Sequence, residues 1–210
     1  MRLRRFALGL SLLAVLLLAA SGPAVRLGAP VTLGILLLPI AGLFGLIAVI
    51  LVIVAIVRSG FALALAAALL IGVAVAAVPI AGYLKARSVP PINDISTDTG
   101  LLAREVAQLQ RKAYPDIQPL RLPVAPNIAF ERAKGAVEEM GWQIVREDPS
   151  AGRIEAVATT FWFGFKDDVL IRVSADTGGS RVDVRSKSRV GKGDLGTNAQ
   201  RIRAYQKRLN

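Results

Sequence analysis

The chain has 210 residues, with 26 basic and 15 acidic side chains for a formal charge of +11, and it contains neither cysteine nor histidine. The missing cysteine excludes disulfides, thiolate nucleophiles and zinc–thiolate sites, and the missing histidine removes the commonest general base and metal ligand. Catalysis would have to rest on Asp, Glu, Lys, Ser or Tyr, and neither a metal nor a cofactor is expected.

The charge divides the chain. The first acid is Asp94; Arg2, Arg4, Arg5, Arg26, Arg58, Lys85 and Arg87 precede it, while nineteen basic and all fifteen acidic residues belong to the rest. Residues 1–87 also hold three apolar runs, at 6–20, 31–57 and 61–84. So much apolar surface without a carboxylate suits hydrocarbon and not water, so this part reads as a membrane anchor. In such a chain a high pI reports topology and contact with anionic headgroups, and nucleic acid is not an expected partner.

The first run is short for a span and follows three arginines. It is either a retained helix or a cleaved signal ending near Ala19, Ala20 and Ser21. The second and third runs are long enough to cross, joined by a tight hairpin at Arg58, Ser59 and Gly60. The basic N-terminus places the start of the chain inside, in a cytoplasmic (inner) membrane, so either reading exports the tail. Lys85 and Arg87 argue weakly the other way. Ala64, Ala68, Gly72 and Ala76 share a face of the third span, and Ala41 and Gly45 a face of the second; packing of these faces on each other is expected. No charge lies inside a span, which argues against an ion pathway.

Residues 88–126 are proline-rich and read as an extended arm with one helix near 100–112. Residues 127–210 read as a globular α+β domain. A helix at 129–140 carries Ala129, Ala133, Ala136, Val137 and Met140 on one side and stops at Gly141. Strands follow at 142–146 and 153–160, then a hairpin of 169–174 with 181–188, giving an antiparallel sheet of about four strands. A last helix at about 195–209 has Asp194 as cap and Leu195, Ile202 and Leu209 as its seam, and the helices are expected on one face of the sheet.

Several linked segments are specific: Thr159-Thr160-Phe161-Trp162-Phe163-Gly164-Phe165-Lys166-Asp167-Asp168, Ser180-Arg181-Val182-Asp183-Val184-Arg185-Ser186, and Ser188-Arg189-Val190-Gly191-Lys192-Gly193-Asp194-Leu195-Gly196 with Asn198, Arg201, Ile202 and Arg203. Together with Tyr114-Pro115-Asp116-Ile117 and Pro119, they resemble the family called domain of unknown function 1499. The resemblance covers most of the tail and none of the spans, and it implies no reaction and no catalytic residue.

Three constellations remain. Gly191, Gly193 and Gly196 spell GxGxxG, but a dinucleotide fold needs a parallel strand and an acid further on, and the chain offers neither. A glycine turn capped by Asp194 is the plainer reading, with an anion beside Lys192 as the sharper one. Arg181, Asp183, Arg185, Lys187 and Arg189 share one strand face, extended by Arg172 from the neighbouring strand, as a basic stripe for phosphate or as a solvated face with cross-strand ion pairs. Phe161, Phe163 and Phe165 project to one side of an extended segment and Trp162 to the other, as core or as a membrane-dipping surface. Asp167 with Asp168 is expected in a hairpin turn.

The expected function is an envelope protein whose exported, periplasmic domain binds membrane lipid, an anionic envelope component or a partner protein, more a binder than an enzyme. The alternatives are an envelope hydrolase working through carboxylates and a purely structural membrane subunit.

Overall fold

The computed structural model describes residues 2–209. The chain forms two compact units: Met1–Lys85 with Phe161–Gly164, and Ala86–Thr160 with Phe165–Asn210.

The first unit holds the helices α1 (Arg2–Arg26), α2 (Val31–Ser59) and, up to Lys85, α3 (Leu63–Ser88). They have 25, 29 and 26 residues, and each is long and apolar enough to cross a membrane. At about 1.5 Å per residue all three exceed the roughly 30 Å of a hydrocarbon core. Their polarity is turned inside out. Leu36, Leu43, Ile50 and Leu70 face outward, while Ala7, Ala14, Ala41, Ala48 and Ala68 are buried. The small-residue faces of α2 and α3 meet as expected: a Cβ on Gly45 would lie 2.8 Å from the Gly72 carbonyl, and one on Gly72 would lie 2.9 Å from Val49 Cγ2. Ala64 does not belong to that face; it is exposed, and Leu65 turns inward instead.

α1 continues through Pro23 to Arg26, beyond the apolar run that announced it. At its start Arg4 donates from Nε to Ser59 Oγ at 2.7 Å and from Nη2 to the Ser59 and Gly60 carbonyls. A guanidinium thereby satisfies the end of α2, where the helix dipole favours a cation.

The second unit is α+β with a six-stranded sheet: β1 (Asp94–Ser96), β2 (Leu120–Leu122), β3 (Gln143–Asp148), β4 (Arg153–Thr159), β5 (Lys166–Asp176) and β6 (Gly179–Ser188). Its order is β1-β6-β5-β4-β3, with β2 also on β6, and every pairing is antiparallel. The two strands beyond the expected four come from the proline-rich stretch. Each has three residues, too few to show a period, and each exists only because β6 supplies its ladder. Between them lie a 3-10 turn at Thr99–Leu101 and α4 (Arg104–Ala113). Gln110 of α4 accepts from Ser96 N at 2.9 Å and donates to Ser96 O at 2.6 Å, so an amide side chain covers the outer edge of β1.

β5 and β6 turn on Thr177 and Gly178, Gly178 taking φ 81°. Ile154, Ala156, Val169, Ile171, Val182 and Val184 form the inner face, on which α5 (Pro126–Glu139) and α6 (Thr197–Leu209) pack. Alternation along each strand sends most of the charges to the other face, with Asp167 of β5 an inward exception. α5 buries Ala129, Phe130, Ala133, Ala136 and Val137, and Gly141 follows at φ 67°. α6 starts at Thr197, not at Leu195. Leu195 is exposed with φ 56°, and the seam is Ala199, Ile202, Tyr205 and Leu209. Asp194 does cap the helix, accepting from Gly196 N at 2.8 Å and Asn198 N at 2.7 Å.

Candidate functional site

The outward sheet face is built by register. Leu170 lies opposite Arg185 and Glu155; Asp168 lies opposite Lys187; Arg172 lies opposite Asp183 and Arg153. On this lattice the basic stripe is interrupted by more than Asp183. Arg185 holds Asp94 with two bonds, of 2.9 and 2.6 Å; Arg189 holds Asp168 at 2.6 Å; Arg172 holds Asp98 at 2.7 Å; Arg181 holds Asp183 at 2.7 Å. Apart from Asp183, on β6 itself, the partners come from β1, β5 and the turn after β1, segments whose position the order of residues along β6 cannot reveal. The Asp94 carboxylate raises the already high pKa of Arg185, chiefly through that hydrogen bond, and Asp168 does the same to Arg189. Glu155 joins Arg153 at 2.9 Å.

Lys187 is the loosest of these cations. Its Nζ lies 4.0 Å from Asp94, which Arg185 already grips. It borders an open recess of about 280 Å³ lined by Val145, Arg153, Glu155, Asp168, Leu170 and Arg185. The recess joins exposed apolar carbon, Val145 being 55% exposed, to three cations.

Behind the sheet is a buried polar cluster. Arg201 donates to Asp167 Oδ2 at 2.5 Å, to Ser186 Oγ at 2.9 Å and to Asn198 Oδ1 at 2.5 Å. Ser186 Oγ donates to Asn198 Oδ1 at 2.6 Å, and Asn198 Nδ2 donates to Ser188 Oγ at 2.9 Å and to the Asn93 carbonyl at 3.0 Å. The side chains of Arg201 and Asp167 are 8% and 3% exposed. Asp167 and Asp168 lie inside β5 and not in the expected turn, and they face opposite ways. The cluster escaped the sequence reading, although a signal existed: Ser186 and Ser188 fall on the inward positions of a strand, in line with Val182 and Val184, and Asn198 and Arg201 are one turn apart on a helix.

In the glycine loop, Gly191 and Gly196 take φ 84° and 80°. The Asp194 carboxylate occupies the helix N-terminus where an anion would sit, and Lys192 is exposed. Nearby, the Tyr114 hydroxyl is buried without a hydrogen-bond partner among the described residues, and burial raises its pKa. Among those residues there is also no cluster of three or more Asp or Glu that could hold a metal.

The aromatic segment is a turn, not an extended strand, and Phe161–Gly164 cluster with the helices of the first unit. There Trp162 Nε1 donates to Ser21 Oγ at 3.0 Å, and Arg26 donates to the Trp162 carbonyl at 3.2 Å and to that of Phe161. A Cβ on Gly22 would lie 2.7 Å from Trp162 Cδ1, and one on Gly34 would lie 3.4 Å from Phe163 Cε1, so both glycines leave room for the aromatics. Phe161 is 88% exposed and Phe165 half-buried in the second unit.

These features define a class: a domain of antiparallel sheet and packed helices carried on three helices apolar enough to insert in a membrane. The chain belongs to the family described as protein of unknown function, DUF1499, whose match spans residues 93–209. No curated protein matches it. Among solved structures, the crystal structure of Ara h 8.0201 is similar at 14% identity over 44% of this chain and 94% of that one, with a TM-score of 0.23. A likeness of that order carries nothing about fold or function.

Proposed function

We propose that the chain is a membrane-anchored binding protein of a cell envelope, with its sheet domain on the extracytoplasmic side, and that the recess beside Lys187 receives an anionic amphiphile of the phospholipid kind. The observation that carries this reading is the recess itself: apolar carbon from Val145 and Leu170 beside Arg153, Arg185 and Lys187, one of these cations held only loosely. Guanidinium and ammonium suit phosphate oxygen, and the neighbouring apolar surface suits an acyl chain. The proposed side follows from charge. Arg4 lies against Ser59 and Gly60, beside Arg58, so the start of α1 and the end of α2 make one cationic end, which faces the cytoplasm by the positive-inside rule. After three crossings the chain leaves α3 on the opposite side. A hydrolase would need free carboxylates, whereas Glu155 and Asp168 at the recess are each held by an arginine.

The test uses the full chain in phosphatidylcholine nanodiscs, titrated with short-chain phosphatidylglycerol, short-chain phosphatidylcholine and inorganic phosphate. Phosphatidylglycerol binds best, and Lys187→Glu with Arg153→Glu weakens it about tenfold or more, in line with the loss of charge-assisted bonds. Equal binding by the double variant refutes the site. An alkaline phosphatase fused after the C-terminus is active if the domain is exported, and its inactivity refutes the orientation.

A further inference from the structure

The loop at residues 190–195 joins β6 to α6 and has a composition that water does not favour. Val190 and Leu195 are 39% and 46% exposed, and the exposed Lys192 lies between them. Leu195 also holds φ 56°, a left-handed backbone that costs a branched side chain about 1 kcal/mol or more. A soluble fold has little reason to keep a leucine both strained and in water.

The loop's neighbours say what lies beside it. A Cβ on Gly193 would stand 3.3 Å from Pro91 Cα, and one on Gly196 would stand 3.5 Å from Val89 Cγ1. Asn93 Nδ2 donates to the Gly191 carbonyl at 2.6 Å. Val89 directly follows Ser88, the last residue of α3, and Pro91 is three residues beyond it. Three residues span at most about 10 Å, so the loop lies within that reach of a membrane-spanning helix end. α3 has 26 residues, close to 39 Å at about 1.5 Å each, against a bilayer of about 40–45 Å including headgroups. An α3 that spans the bilayer would end in the headgroup layer, within reach of the loop.

We propose that residues 190–195 are a membrane-contact site, with Val190 and Leu195 inserted at the boundary of headgroups and acyl chains and Lys192 on a lipid phosphate. The occupant is the bilayer in which α1 to α3 are anchored. Apolar side chains flanking a cation are what such a boundary accepts, and a lysine can bury its stem there while its ammonium stays with the phosphates. Membrane anchoring underlies this site; ligand binding at the recess does not.

The absence of cysteine makes the test direct, because a single introduced cysteine labels alone. The full chain carrying Leu195→Cys, Val190→Cys or, as control, Ser150→Cys is labelled with an environment-sensitive fluorophore in nanodiscs of phosphatidylcholine and phosphatidylglycerol. Ser150 lies in the β3–β4 turn, at the other end of the sheet. Labels at 190 and 195 are quenched by nitroxide lipids and shielded at least threefold from aqueous iodide relative to 150. Adding Lys192→Glu lowers the lipid quenching at least twofold when phosphatidylglycerol is present. Iodide accessibility at 190 and 195 equal to that at 150, without lipid quenching, overturns the proposal. Unchanged quenching in Lys192→Glu overturns the phosphate contact. Val190→Cys keeps the insertion test decisive should a change at Leu195 disturb its left-handed backbone.

Discussion

Replacing Arg201 by methionine removes the cation of the buried cluster and leaves the Asp167 carboxylate, 3% exposed, with no positive partner, while Ser186 and Asn198 each lose a donor. Removing one member of a buried pair costs about 3–5 kcal/mol, a large share of the roughly 5–15 kcal/mol that holds a domain together. Methionine fills much of the same volume, so the loss is electrostatic and not a cavity. The assay is equilibrium urea unfolding of the full chain in mild detergent, in a Trp162→Phe background where Trp142 is the remaining tryptophan. Trp142 stacks on Tyr205 at 5.4 Å between ring centres, so its emission reports whether α6 is docked. Arg201→Met shifts the midpoint by the amount above. Arg201→Met with Asp167→Asn recovers about half or more, because no naked charge then stays buried. A loss under about 1 kcal/mol in the single variant, the size of a solvent-screened pair, refutes the argument.

Burial raises the pKa of Tyr205 far above the ordinary tyrosine value of about 10, so the protonated phenol is favoured in the fold. The stability this confers is present below about pH 10 and lost as pH rises above the unfolded value towards the folded one. Tyr205→Phe therefore flattens the fall in the urea midpoint between pH 9 and 11, while costing about 1 kcal/mol at neutral pH for the bond to the Ala133 carbonyl. In the helices, Gly72→Leu forces a side chain against Val49 and the Gly45 carbonyl, lowering stability by about 1–3 kcal/mol as a depressed melting temperature in detergent. Gly82→Leu, with open space at its Cβ, leaves it unchanged.

The three long apolar helices were legible because composition alone marks them, and a run such as α2 needs no tertiary information to be recognised. The hairpin of β5 and β6 was legible because alternation and a two-residue turn are local. β1 and β2 were not, since three residues carry no period and their existence depends on the flank of β6. The stripe shows the limit most clearly. That Arg181, Arg185 and Arg189 share a face with Asp183 follows from strand geometry, but that Asp94 meets Arg185 and Asp168 meets Arg189 depends on register across three strands. Leu195 was misplaced because a helix period extrapolates smoothly backward, whereas Asp194 stops the helix by taking the Gly196 and Asn198 amides.

The segments that carry the family resemblance supply Asp167, Ser186, Ser188, Asn198 and Arg201, and the fold brings these into one buried, mutually hydrogen-bonded cluster. Each polar group there has its partner inside the protein, and the cluster ties α6 to β5, β6 and the residue before β1. A group so fully bonded holds elements in register. The family pattern in these residues is therefore a pattern of architecture. Residues that meet a ligand must instead be sought among groups whose bonding is incomplete, and the cations of the outer face differ in this: Arg185 spends both its bonds on Asp94, while Lys187 reaches the same carboxylate only at 4.0 Å. Under the proposed binding at the recess, a phosphate would displace no bond from Lys187 and would have to break two at Arg185, so the lysine, the less conspicuous member of the stripe, is where the proposal concentrates recognition.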